Sequence, residues 1–471
     1  PCYINGQAGS GKSTLLYYIF ANIIYLKNLD SIKGDIIFLT ENEQLLTNSS
    51  NNVLDLLENN PEFELSHEEI IENKKHFHSF KNFLLNMLDE SDLENFKDDM
   101  YLHFPIFKVF YENSTIKSPI VKEYSAEEAW FVISTYIYGH DISQKITSKT
   151  YEDEVYAKSR KIDTDRFIDI ETYILPFYES LLEKGYWDKL KIIRYIDQNI
   201  NLELKTKYEV IICDEAQDFC KVELSFILKQ SSYLKYNLSS IDQIPIVFAG
   251  DANQTVNPTG FSDAEMTSLL YQELQEINFQ YKSKDTFYST NLNYRSNSQV
   301  VSLANFIQYY RIKHLDLTSN KKPQESKRPL ENSVKTYNIF LDYETIENTP
   351  KLKNALFEKL KYKIFIIPTN SEEKKEFKEN SLILSNFKDL EIKTSVESKG
   401  AEYKQVVLYG FGEYFLEHFE FNNQKNNFQV MYYFNKLYVA ITRAKTELII
   451  IDSKKSKEYF CYAMNKNDLK E

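Results

Sequence analysis

Residues 6–13 read Gly-Gln-Ala-Gly-Ser-Gly-Lys-Ser (GQAGSGKS), which is the spacing G-x-x-x-x-G-K-[ST]. In front of it CYIN (2–5) has the texture of a short strand, and behind it Lys12 to Tyr25 is an apolar-rich helix pattern. Strand, glycine-rich turn and helix together make a phosphate cradle: glycines let the backbone bend closely, and the N–H groups at the helix start face an anion. The candidate nucleotide-binding segment is therefore Gly6, Gln7, Ala8, Gly9, Ser10, Gly11, Lys12, Ser13 and Thr14, with Lys12 directed to the terminal phosphates and Ser13 a ligand for Mg2+. Such a loop holds phosphates and hydrolyses nothing alone.

Working outward, DIIFLT (35–40), YEVIIC (208–213) and PIVFAG (245–250) are short apolar runs that end in polar residues, as buried parallel strands do. YEVIIC delivers Asp214 and Glu215 at its carboxyl end. Two acids there supply what the loop lacks: Asp214 as a metal ligand and Glu215 to orient and deprotonate the attacking water. From 51 to 200 the texture changes to charged, Asn-rich and helical in period. It includes Ser125-x-x-Glu128, which predicts a capping box, and a helix candidate 166–184 with a kink at Pro176 and a stop at Gly185. A second strand series, YNIFL, KIFIIP, KQVVLYGF and TELIIID, begins near residue 336.

Seven segments taken in order, GQAGSGKST, IIFLTENEQ, VIICDEAQD, FAGDANQT, LNYRSNSQVV, ESKGAEYKQVVLYG and LYVAITRAKTELIII, resemble the motifs of superfamily 1 helicases, in particular the UvrD/Rep-like group. The resemblance implies an α/β protein with two RecA-like P-loop NTPase domains and a mainly helical insertion in the first. The expected boundaries are 1–50 with 201–290 for the first domain, 51–200 for the insertion, and 291–471 for the second. It also implies ATP and Mg2+ as cofactors, with Gln254 as a sensor near the terminal phosphate, Tyr294 against the adenine, Arg295 and Arg443 on the terminal phosphate, and Glu402 at the ribose. Planar, always-charged guanidinium groups suit a phosphate whose charge spreads during transfer. The implied activity is ATP-driven translocation along single-stranded nucleic acid, DNA above all, in the 3' to 5' direction. Thr40, Asn42 and Phe261 are the candidate contacts to that strand.

Departures from the pattern matter. Where relatives carry base-stacking aromatics after GDANQ, this chain has Asn257 and Thr259, and a stacked base is worth roughly 1–3 kcal/mol. With 56 Lys plus Arg against 69 Asp plus Glu, the net charge of -13 shows no global basic footprint. These two features support an alternative, a nucleotide-switched interaction ATPase whose helical insertion binds a protein partner. Asn465-Lys466-Asn467-Asp468 matches the guanine-reading pattern N-K-x-D, but it does not follow a strand and the chain is rich in Asn and Lys. His76-Phe77-His78 reads as exposed helix surface rather than a metal site. The four cysteines form no close pair, no apolar run reaches membrane-span length, and no signal-peptide pattern opens the chain. The expectation is an intracellular protein, cytoplasmic or nucleoid-associated, with no membrane partner. The start at Pro1, one strand before the loop, suggests a piece of something longer, since relatives carry a glutamine motif upstream.

Overall fold

The structure, a computed structural model, describes residues 2–41, 43–63, 65–114, 123–155, 157, 160–200, 207–235, 245–275, 287–315, 322–328, 338–360, 363–381, 383–386, 390–419 and 427–459. It is an α/β protein with parallel sheets, and the chain divides into two compact units. The first is Pro1–Gly6 with Lys12–Ser289, and the second is Gln7–Gly11 with Thr290–Glu471.

The first unit is built on strands β1 (Cys2–Gly6), β2 (Asp35–Thr40), β3 (Phe77–Ser79), β4 (Tyr208–Cys213), β5 (Ile246–Gly250) and β6 (Phe287–Thr290), in the sheet order β3-β2-β4-β5-β1-β6. Pairing is parallel from β3 through to β1. Helix α1 (Lys12–Asn28) puts Leu16, Phe20 and Ile24, four residues apart, onto the sheet residues Ile36, Phe38, Val210 and Ile212. Full burial of each such side chain stabilises the fold by about 1.5–3 kcal/mol. Because the strands are parallel, the ends of β1, β4 and β5 share one edge: Asn5 lies beside Gly250, and Cys213 beside Phe248. That edge carries Lys12, Asp214 and Asp251, so ligand chemistry collects where open parallel sheets bind ligands.

The stretch 51–200, read from sequence as a helical insertion, begins inside the sheet-forming part. Helix α2 (Glu43–Asn59) runs across residue 51, and Phe77–Ser79 pairs with β2 in register. His76 and Phe77 are consequently buried, which corrects the reading of His76-Phe77-His78 as exposed helix. Burial, helped by nearby Lys75 and Lys27, pushes the His76 imidazole down to about 4. The capping box at Ser125 is only half made. Ser125 Oγ accepts from the Glu128 N–H at 3.1 Å, while the Glu128 carboxylate turns to Arg166, which donates to both of its oxygens at 2.6 Å. The helix around Pro176 adjusts before the proline, with a π-helical stretch at Ile170–Ile174 leading into Leu175–Glu183 and a stop at Gly185.

The second unit holds a two-stranded sheet, β7 (Leu292–Asn293) with β8 (Glu325–Ser326), and a five-stranded parallel sheet. The latter comprises β9 (Asn338–Asp342), β10 (Ile364–Ile367), β11 (Ile392–Thr394), β12 (Tyr403–Tyr409) and β13 (Ala444–Asp452), in the order β11-β10-β12-β13-β9. Alternation along β12 and β13 serves two cores at once. Val406, Leu408, Leu448 and Ile450 face one, while Val407, Tyr409, Ile449 and Ile451 face the other. This is why KQVVLYGF and TELIIID read as unbroken apolar runs. Among the described residues no helix is long and apolar enough to cross a membrane.

Candidate nucleotide site

In the first unit, β1 stops at Gly6 and α1 starts at Lys12, whose ammonium group donates to the Gly6 carbonyl and is buried at that strand end. The Ser13 hydroxyl hydrogen-bonds the Asp214 carboxylate. Asp214 is itself anchored by its N–H to the Leu39 carbonyl at 3.0 Å, which fixes the end of β4 against β2. Asp214 is 3% exposed and Glu215 8%. Burial, and then the Glu215 charge beside it, push the Asp214 carboxyl up to about 6 against the pull of Ser13 and Lys12. Two buried carboxylates against one ammonium group leave a surplus of negative charge in a low-dielectric setting, which favours a cation there.

Glu215 stands in the left-handed region with φ 55° and ψ 43°, uncommon for a residue with a side chain. Its N–H donates to Asp214 Oδ1 at 2.9 Å and its carbonyl accepts from the Asp218 N–H at 2.9 Å. The turn is thus locked on both sides, and backbone strain at such a position is a frequent mark of functional sites. Gln217 Nε2 donates to Glu215 Oε2, and Gln217 Oε1 accepts the Asp251 N–H at 2.9 Å. Asp251 in turn accepts from Asn253 N–H at 3.1 Å and from Gln254 Nε2 at 3.1 Å. Gln254 therefore joins the carboxylate edge through Asp251.

In the second unit, the segment Gln7–Gly11 turns with positive φ at Gly9 (74°) and Gly11 (87°). A side chain at Gly9 would sit 2.8 Å from the Asn293 amide. Asn293 Nδ2 and Gln324 Nε2 both donate to the Ala8 carbonyl at 2.9 Å, and the Tyr294 N–H donates to the Gly9 carbonyl at 2.8 Å. Ser10 Oγ is buried with no hydrogen-bond partner, an orphan that a phosphate oxygen would satisfy. Tyr294 is 59% exposed. Arg295 Nε donates to Glu402 Oε1 at 2.6 Å, and Lys445 pairs with Glu402 Oε2 at 2.8 Å. Burial alone would raise the Glu402 carboxyl, but Arg295 and Lys445 outweigh it and hold it down to about 2. Arg443 is 2% exposed and donates to the carbonyls of Val439 (3.0 Å) and Ala401 (3.3 Å) and to Thr442 Oγ1 (3.2 Å).

Within the first unit, the residues expected from sequence that come together are Lys12, Ser13, Asp214, Glu215 and Gln254. Within the second, Arg295 meets Glu402 directly, while Arg443 is engaged with its own helix and neighbouring turns. Thr40 is buried at the end of β2. Phe261 is 7% exposed with its ring edge-on to Tyr3, a core position rather than an open stacking face. Asn42 and Asn465–Asp468 lie outside the described residues. Sequence reasoning passed over Gln217, Asp251 and Tyr17. The Tyr17 phenol hydrogen-bonds Ser13 and Ser49, and the signal for it was its place one helical turn after Ser13. The donor set suits Mg2+ beside a phosphate: Ser13 and Asp214 offer two hard oxygens, and Mg2+ takes few protein ligands and completes its shell with phosphate and water. No protein-family model matches the chain, and no curated protein matches it.

Proposed function

We propose that the chain is a magnesium-dependent ATP hydrolase with two RecA-like domains, of the superfamily 1 helicase type, that moves along single-stranded nucleic acid, DNA above all. The observation that carries the reading is the Ser13–Asp214 hydrogen bond beside the Lys12 ammonium group, with Glu215 next in sequence. Loop lysine, metal-ligating hydroxyl, metal-ligating acid and base are then all present in one unit. Lys12 binds the terminal phosphates, Ser13 and Asp214 hold the metal, and Glu215 orients the attacking water and takes its proton. When bound, Mg2+ supplies charge neutralisation on the phosphates. Arg295 and Arg443 are the candidates for the charge that develops on the transferred phosphoryl group, and each must exchange bonds it now makes within the second unit to do so.

A second reading, a nucleotide-switched ATPase that binds a protein partner through its helical insertion, is favoured by the buried Phe261 and by Asn257 and Thr259 at the stacking positions. The test is steady-state ATP hydrolysis by the wild type, Lys12→Ala and Glu215→Gln, each with and without single-stranded DNA or RNA. The proposal expects turnover by the wild type, loss of about 100-fold or more in both variants, and stimulation by the polynucleotide. Unchanged turnover in Glu215→Gln overturns the assignment of the base, and turnover indifferent to both polynucleotides leaves the switch reading in possession.

A further inference from the structure

We propose that Gln217 is a positioning residue for the hydrolytic step, clamping the Glu215 carboxylate to the end of β5. The inference rests on the reading of Glu215 as the group that activates water. Gln217 is fully buried, and both ends of its amide are used. A backbone N–H can only donate, so the Asp251 N–H fixes the amide oxygen on its side, and the NH2 group must face Glu215. The orientation is therefore set by chemistry.

The clamp has further supports. Thr259 Oγ1 donates to the Gln217 carbonyl at 2.8 Å and holds the main chain from the other side. Gly250, the last residue of β5, leaves the space for the amide, because a Cβ there would stand 2.9 Å from Gln217 Oε1. Charged groups surround the position. Asp214 precedes Glu215, Asp218 follows Gln217, Asp251 lies behind the amide, and Lys12 acts on Asp214 from α1. Among so many acids a neutral donor aimed at Glu215 holds its carboxylate in one orientation, whereas an acid in the same place would repel it. The segment Asp251–Gln254 also carries the candidate phosphate sensor, so the base and the sensor are set by one piece of backbone.

The isosteric change Gln217→Glu separates positioning from packing. It keeps the volume and the acceptor for the Asp251 N–H, and replaces only the donor toward Glu215 with a like charge. The expected result is a fall in kcat of about 100-fold with KM for ATP little changed. Gly250→Ala, which displaces the amide without touching Glu215, should produce the same loss; its thermal unfolding reports whether the fold survives. Wild-type kcat in Gln217→Glu, or a loss that falls on KM and not on kcat, overturns the positioning role, provided that the wild type hydrolyses ATP and Glu215→Gln does not. Absence of turnover in the wild type overturns the parent reading, and this inference with it.

Discussion

Asp214 sets stability against the metal-binding role proposed for it inside one side chain. Its carboxyl is pushed up from the ordinary 3.8 to about 6, chiefly by burial. A raised pKa in the folded chain means that the protonated acid is favoured there; this contribution to stability is complete in acid and disappears as pH rises through about 6. At neutral pH the ionised group is a cost, borne for the metal it would hold. Asp214→Asn keeps an oxygen for Ser13 and for the Glu215 N–H while removing the charge. Without nucleotide or metal it should be more stable than the wild type at about pH 7.5, by on the order of 1–3 kcal/mol, with the gain fading toward about pH 5. Thermal unfolding at the two pH values measures this, and an equal or lower melting temperature at the higher pH contradicts it. That Lys12, Ser13, Asp214 and Glu215 come together was legible in the sequence, because a phosphate loop and an acid-tipped apolar strand predict each other. Gln217 was not, since its role comes from the Asp251 N–H, 34 residues further along, which fixes its amide.

At the scale of elements, seven apolar runs announced seven of the parallel strands, since a strand covered on both faces must be apolar throughout. Among the strands that gave no signal, Phe77–Ser79 and Ile392–Thr394 are three-residue strands at sheet edges, too short for any period to register, and Leu292–Asn293 and Glu325–Ser326 are shorter still. The helical region hid its irregularities for another reason. The stretch Val132–Ile137 winds as a π-helix with all six residues buried. It ends where Gly139 lets the chain pass the Ser134 carbonyl, from which a Cβ would be only 1.8 Å away. The Gly139 carbonyl then accepts from the Val222 N–H at 3.0 Å, tying this turn to the helix that follows Asp214 and Glu215. Gly139→Ala should therefore destabilise the protein by about 1–3 kcal/mol, the usual cost of forcing a methyl group into a filled space. A shift in the urea unfolding midpoint checks this; a change below about 0.5 kcal/mol would mean that the turn relaxes freely.

For the whole molecule the decisive quantity is charge. A polynucleotide that gains affinity by releasing counterions needs Lys and Arg on its phosphates, and each neutralised phosphate adds about -0.7 to the slope of log K against log salt for a single strand. This chain carries -13, and of its candidate strand contacts Thr40 and Phe261 are uncharged and buried. Repulsion from the acidic surface is strongest at low salt, where the screening length is longest, so it opposes the gain that counterion release would otherwise bring. Both effects flatten the slope. Binding of a labelled single strand, followed by fluorescence anisotropy across a salt series in the presence of a non-hydrolysable ATP analogue, should give a slope shallower than about -3, equivalent to about four phosphates. A slope near -6 or steeper would instead require a concentrated basic track, and the strand would then be gripped by lysines and arginines that the motif positions do not include.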